Sequence, residues 1–319
     1  MSAPDVVVLR QGTEGLGTEP YAAALRERLP EHRVVRAATP GEERDLVADA
    51  PVVTGIGIDE ALLARAEELE LFACAFAGTD HLPTEPLLER GVVVTNAGGI
   101  HVPGIAEQAV GYTLVFARNL HEGIRRQERR EWRHFQSGEI AGSTVTVVGQ
   151  GSIGTAVVER LNAFDAETLA VRHTPSKGGP ADEVVGYDPE AVHSVFARSE
   201  YVVLACPLTE RTEHLIDEAA LATLPPEAVI VNVARGGVID TEALTAAVQR
   251  NDIGGAALDV TDPEPLPADH DLWGFGNVLV TPHTGGHNPQ HWPRLAEVVA
   301  DNVRALESGG ELRNVVARP

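Results

Sequence analysis

The stretch Thr144-Val145-Thr146-Val147-Val148-Gly149-Gln150-Gly151-Ser152-Ile153-Gly154 constrains this chain more than any other. An apolar, β-branched run ends in a Gly-x-Gly-x-x-Gly turn. Thr155 to Leu161 then continues as a helix with Ile153, Ala156, Val157 and Leu161 on one face. Strand, tight turn and helix form the setting in which such glycines hold a dinucleotide. Gly149 permits the turn, Gly151 lets the backbone approach a pyrophosphate, and Gly154 lets helix and strand pack closely. Gln150, Ser152 and Ile153 complete the turn, whose free N–H groups face the anion.

Around this stretch, strand-like and helix-like segments alternate along the chain, which argues for an α/β fold with parallel sheets. In the first hundred residues, strands are expected at Val6–Arg10, Arg33–Arg36, Pro51–Thr54, Leu71–Ala75 and Val92–Thr95, with helices between them. No dinucleotide fingerprint lies there, so this part reads as a smaller flavodoxin-like domain. A Gly-rich joint at Gly98–Gly99 precedes one long helical pattern from about Val102 to Arg130, apolar in its first half and densely charged in its second. Beyond the fingerprint, strands are expected at Thr168–Val171, Tyr201–Ala205, Ala228–Asn232, Gly255–Leu258 and Val278–Thr281.

The end of the Thr168–Val171 strand bears on the nucleotide. An Asp or Glu about twenty residues past the glycines would hold the ribose hydroxyls of NAD. This chain has Arg172-His173-Thr174-Pro175-Ser176-Lys177 there instead, and its only lysine is Lys177. Arg172, His173, Thr174, Ser176 and Lys177 are donors suited to a 2′-phosphate, so NADP(H) is expected over NAD(H).

Charge narrows the partners. Asp and Glu number 47 against 25 Lys and Arg, a net charge of -22. Such an excess argues against nucleic acid or an anionic membrane as partner. It suits a cytoplasmic protein of a salt-loving cell, where screening shortens to about 3 Å at molar salt. No apolar run reaches the roughly eighteen residues of a membrane span, and the start of the chain carries no basic signal region. Cys74 and Cys206 lie in apolar runs and read as core residues. No metal site is expected.

Chemical candidates cluster at strand ends, where such a sheet presents its ligands. Small residues at Ala77-Gly78-Thr79-Asp80 can expose N–H groups to a carboxylate, or form a plain turn. Further on come Cys206-Pro207-Leu208-Thr209, Asn232 to Gly237, Asp259 to Pro265, and Thr281 to Gly286. Arg235, Glu264 and His283 each follow a strand there.

In order and spacing, the segments "SEYVVLACPLTERTEHLID", "VNVARGGVIDTEAL", "GAALDVTDPEPLP" and "NVLVTPHTGG" make the chain resemble the D-isomer-specific 2-hydroxyacid dehydrogenases. That superfamily includes glyoxylate/hydroxypyruvate reductases and phosphoglycerate dehydrogenases. The resemblance implies His283 as general acid/base, Glu264 as its partner and Arg235 as the substrate clamp. A carboxylate beside the imidazole favours its charged form and fixes its tautomer. The resemblance also implies Ala77, Gly78, Thr79, Arg235 and His283 as substrate contacts. Cofactor contacts extend to Cys206, Pro207, Thr212, Val233, Ala234, Arg235, Asp259, His283 and Gly285, with Asp259 on the nicotinamide amide.

It further implies two Rossmann/flavodoxin-like parallel-sheet domains with a cleft between them. The substrate domain is expected at 1–98 with 288–319 and the dinucleotide domain at 99–287. Gly98–Gly99 and Gly285–Gly286 are the expected hinges. A homodimer built on the helix from Val102 is expected, reducing a small 2-keto acid to its D-2-hydroxy acid. The rival readings are an NAD-dependent phosphoglycerate-type dehydrogenase on the same frame and a non-catalytic nucleotide-sensing binding protein.

Overall fold

The Val-rich runs of the first hundred residues become short parallel strands because β-branched side chains fit a pleated surface buried on both faces. The computed structural model describes residues 3–13, 15–79 and 81–319. Its first part alternates β1 (Val6–Val8), α1 (Glu19–Arg28), β2 (Val34–Arg36), α2 (Pro40–Leu46), β3 (Val52–Gly55), α3 (Glu60–Leu63), β4 (Leu71–Cys74), α4 (Thr84–Glu89) and β5 (Val93–Thr95). Next come α5 (Val102–Ala117), α6 (Leu120–Glu128), β6 (Thr144–Val148), α7 (Ser152–Asn162), β7 (Glu167–Val171) and β8 (Glu183–Val185). They are followed by α8 (Pro189–Phe196), β9 (Tyr201–Leu204), α9 (Glu218–Thr223), β10 (Val229–Asn232), α10 (Thr241–Arg250), β11 (Gly255–Leu258) and β12 (Val278–Val280). The chain closes with α11 (His291–Ser308) and β13 (Val315–Ala317). Part of the acidic excess starts these helices: Asp59, Asp188, Asp217 and Asp240 each accept backbone N–H groups at the head of a helix.

Two compact units result, residues 1–101 with 287–319 and residues 102–286. The first holds a six-stranded sheet in the order β13-β5-β4-β3-β1-β2. Its strands run parallel except β13, which pairs antiparallel with β5. Tyr21 and Leu25 of α1 and Trp292, Leu295 and Val299 of α11 cover one face. Val47, Leu63 and Leu87 pack on the other with Val7, Val53 and Phe72.

The second unit holds a seven-stranded parallel sheet, β12-β11-β10-β9-β6-β7-β8. From β6 the chain builds outward through β7 and β8, then crosses to β9 and builds the other way. The strand order therefore reverses beside β6, and the crevice at such a reversal is where doubly wound sheets bind ligands. Helices α5 and α7 bury Ala106, Phe116, Val157 and Leu161 on one face. Helices α8, α9 and α10 bury Val192, Phe196, Leu221, Leu244 and Val248 on the other.

Two expectations need correction. The helical pattern from Val102 to Arg130 is two helices, interrupted where Asn119 adopts a left-handed conformation with φ of 51°. Asn tolerates that region, so the chain can turn there and begin α6 afresh. Strands β8 and β13 are additions to the expected set; each is three residues long and lies at a sheet edge. Among the described residues no helix is long and apolar enough to cross a membrane.

Candidate active site

The fingerprint glycines are held by contacts that a side chain would break. Gly149 has φ of +93°, and a Cβ there would lie 2.6 Å from Cys206 Cα. A Cβ on Gly154 would meet the Gly149 carbonyl oxygen at 1.8 Å. At Gly151 a Cβ would find nothing within 4 Å, so that glycine faces open space. It stands immediately before Ser152, the first residue of α7, whose opening N–H groups lack intrahelical partners. Ile153 is half-buried behind them. Cys206 is buried at the end of β9, and burial pushes its thiol up to about 11.

A cavity of about 670 Å³ opens beside this turn. Gly149, Gln150 and Gly151 line it with Arg172, His173, Thr174 and Lys177 from the loop after β7. Pro207, Thr209, Glu210, Arg211 and Thr212 line it from the loop after β9, together with Tyr187. Ser176 is exposed in the short 3-10 turn Pro175–Lys177, outside this lining. Arg172 Nη1 bonds the Gly178 carbonyl oxygen and lies 3.5 Å from Gln150 Oε1. Gln150 is 4% exposed, and its amide Nε2 finds no acceptor among the described residues. A buried donor left in this way calls for an acceptor from a ligand. Open space at Gly151, cationic walls and an orphaned amide together suit a phosphorylated dinucleotide.

The loops past strands β10, β11 and β12 carry Arg235, Glu264 and His283. Val233 and Ala234 are buried just past β10, and Asn232 pins the next turn by accepting from Ala234 N–H and donating to the Arg235 carbonyl. Arg235 is exposed, and its Nη1 donates to the Ala234 carbonyl at 2.7 Å. Gly236 brings this loop against the one after β11, since a Cβ would lie 2.0 Å from the Thr261 carbonyl oxygen. That second loop carries Glu264.

His283 Nδ1 donates to Glu264 Oε1 at 2.6 Å, with the two side chains 49% and 41% exposed. The carboxylate accepts the Nδ1 proton, so Nε2 is the ring nitrogen left outside this bond. His283 has φ of 51°, a sparsely populated region for a residue with a Cβ. Asp259 holds it there. Its own carbonyl accepts the His283 N–H at 2.8 Å, and its carboxylate accepts Thr284 N–H at 3.0 Å and Gly285 N–H at 2.8 Å. Gln108 Nε2 and the Thr281 hydroxyl donate to the same carboxylate, and Tyr112 hydrogen-bonds Thr281. Asp259 is only 3% exposed, so the structure shows it bracing the His283 loop from within.

In the other unit, Ala77, Gly78 and Thr79 follow β4 directly, and a Cβ on Gly78 would find nothing within 4 Å. Asp80 lies outside the described residues. Sequence reasoning missed Gln108 and Tyr112, which with Thr281 brace the histidine, and Arg211 and Tyr187 in the cavity wall. Gln108 offers no local signal: its contact with Asp259 spans 151 residues and exists only once α5 packs on the sheet.

Residues 110–285 match the family described as D-isomer specific 2-hydroxyacid dehydrogenase, NAD binding domain. The chain is 32% identical over 261 residues to a glyoxylate reductase of Pyrococcus furiosus, covering 79% of this chain and 77% of that protein. It is 31% identical over 304 residues to a D-3-phosphoglycerate dehydrogenase of Methanocaldococcus jannaschii, covering 93% of this chain but 57% of that longer protein. Among solved structures, it is similar to a D-isomer specific 2-hydroxyacid dehydrogenase from Xanthobacter autotrophicus Py2 in complex with NADPH and MES. That match has a TM-score of 0.80 and 28% identity, and covers 99% of this chain and 98% of the other.

Proposed function

The chain belongs to the D-isomer-specific 2-hydroxyacid dehydrogenase family, and from that premise we propose that it reduces a small 2-keto acid to the D-2-hydroxy acid with NADPH. The observation that carries this reading is the 2.6 Å bond from His283 Nδ1 to Glu264 Oε1, formed beyond the same end of the sheet as Arg235. When bound, NADPH supplies a hydride to the keto carbon. His283 Nε2 delivers a proton to the keto oxygen, and Glu264 stabilises the imidazolium before that transfer. Arg235 pairs with the substrate carboxylate, a planar two-point task that suits guanidinium. Gly149, Gly151 and the head of α7 take the pyrophosphate, with Cys206, Pro207, Thr212 and Val233 to Arg235 lining the site. Ala77, Gly78 and Thr79 offer backbone N–H groups to a carboxylate.

The β7 loop supports NADPH over NADH, because Arg172, His173, Thr174 and Lys177 stand where a carboxylate would select a free ribose. The match to a phosphoglycerate dehydrogenase favours a second reading, NAD-dependent oxidation of a phosphorylated 2-hydroxy acid on the same frame. The exposed side chains of Ile124 and Trp132, on and beyond α6, support a homodimer. The net charge of -22 supports assays in molar salt.

The test follows absorbance of NADPH and of NADH, in low and molar salt, with glyoxylate, hydroxypyruvate, pyruvate and a branched 2-keto acid, and in the reverse direction 3-phosphoglycerate with NAD. NADPH-preferring turnover of any of the keto acids is expected. Reaction only with 3-phosphoglycerate and NAD would establish the second reading, and no turnover by folded protein would leave a nucleotide-binding protein without this activity.

A further inference from the structure

The loop after β9 enters the nucleotide cavity from the side opposite the basic β7 loop, because β9 and β7 flank β6 in the sheet. It is a pinned loop. Thr212 is 3% exposed, its hydroxyl donates to the Pro207 carbonyl at 2.6 Å, and it accepts the Thr209 N–H at 2.8 Å. Arg211, next to this anchor, reaches across to the β7 loop and donates from Nη1 to His173 Nδ1 at 3.0 Å. That bond makes Nδ1 an acceptor and places the ring proton on Nε2, so neutral His173 presents an N–H as a further donor.

The charges around this bridge are unspent. Arg172, Lys177 and Arg211 form no ion pair among the described residues, and Glu210 is the only carboxylate in the cavity wall. Arg172 Nη1 is turned to the Gly178 carbonyl and towards Gln150, bracing its own loop. Among the described residues Arg211 bonds the His173 ring, which leaves its remaining N–H groups for a ligand.

We propose that Arg211, with His173 as its bridge, is a specificity-determining residue that grips the adenosine 2′-phosphate from the β9 side. The proposal rests on the NADP reading and adds a guanidinium from outside the β7 loop. The phosphate then sits between two loops joined by the Arg211–His173 bond. A charge-assisted bond to phosphate is directional and strong enough to carry about tenfold or more in affinity.

The experiment is calorimetric binding of 2′,5′-ADP and 5′-AMP, which share the adenosine and differ at the 2′ position, to the native protein and to Arg211→Ala and Arg211→Lys. The expected result is tighter native binding of 2′,5′-ADP, a loss of tenfold or more for it in Arg211→Ala, partial rescue in Arg211→Lys, and unchanged 5′-AMP affinity throughout. Unchanged 5′-AMP binding also reports that the variants are folded. A native protein that does not distinguish the two nucleotides overturns the NADP reading and this proposal with it. A native preference that survives in Arg211→Ala overturns the role of Arg211 alone. Equal losses for both nucleotides would make Arg211 a structural residue of the loop and overturn it as well.

Discussion

Replacing Glu264 by Gln tests the acid–base pair with little change of shape. The amide can still accept the His283 Nδ1 proton through its oxygen, so the tautomer is kept and only the charge is lost. A charge-assisted hydrogen bond contributes about 1.5–3 kcal/mol. Both side chains are more than one-third exposed, at 49% and 41%, so solvent screening takes the expected loss towards the lower end. About 1.5 kcal/mol corresponds to roughly a tenfold fall in kcat. Steady-state reduction reads the effect, with cofactor affinity as the control for folding. Native kcat in Glu264→Gln would refute the reasoning, because the contact would then be an incidental surface pair.

Three further outcomes follow from other contacts. Gly151→Ala should keep the native Tm and weaken cofactor binding, whereas Gly154→Ala, with its Cβ 1.8 Å from a carbonyl oxygen, should lower Tm; thermal melts and titrations separate the two. The buried Cys206 thiol, held up to about 11, should resist alkylation of the native protein at pH 8. Because the unfolded chain gives up that proton first, its contribution to stability should fade between about pH 9 and 11, and Cys206→Ala should flatten that fall in Tm. Gln108→Ala removes one donor from the Asp259 carboxylate and should lower kcat several-fold while cofactor affinity holds, as single-turnover and binding measurements would show.

The sheet architecture was legible because its determinants are local. Runs such as Val145–Val148 and Val229–Val231 are rich in β-branched residues, and each ends in a turn of small or capping residues. Edge strands β8 and β13, of three residues each, lie outside the expected set. The candidate site divides in the same way. The glycine turn is one contiguous stretch, and Arg235, Glu264 and His283 each stand in a distinctive segment just past a strand. What supports them is not contiguous. Gln108 reaches Asp259 from α5, and Arg211 reaches His173 over 38 residues, so only the packed sheet makes either contact visible. The break at Asn119 was hidden because helical periodicity resumes at Leu120, leaving one left-handed residue to mark it.

In the proposed reaction His283 moves the proton. The most direct measurement is the single-turnover rate of keto-acid reduction by His283→Ala against the native enzyme, both saturated with NADPH. The expected rate is lower by about 10²–10⁴-fold, with the dissociation constant for NADPH little changed. A variant that reduces the substrate at close to the native rate would contradict it.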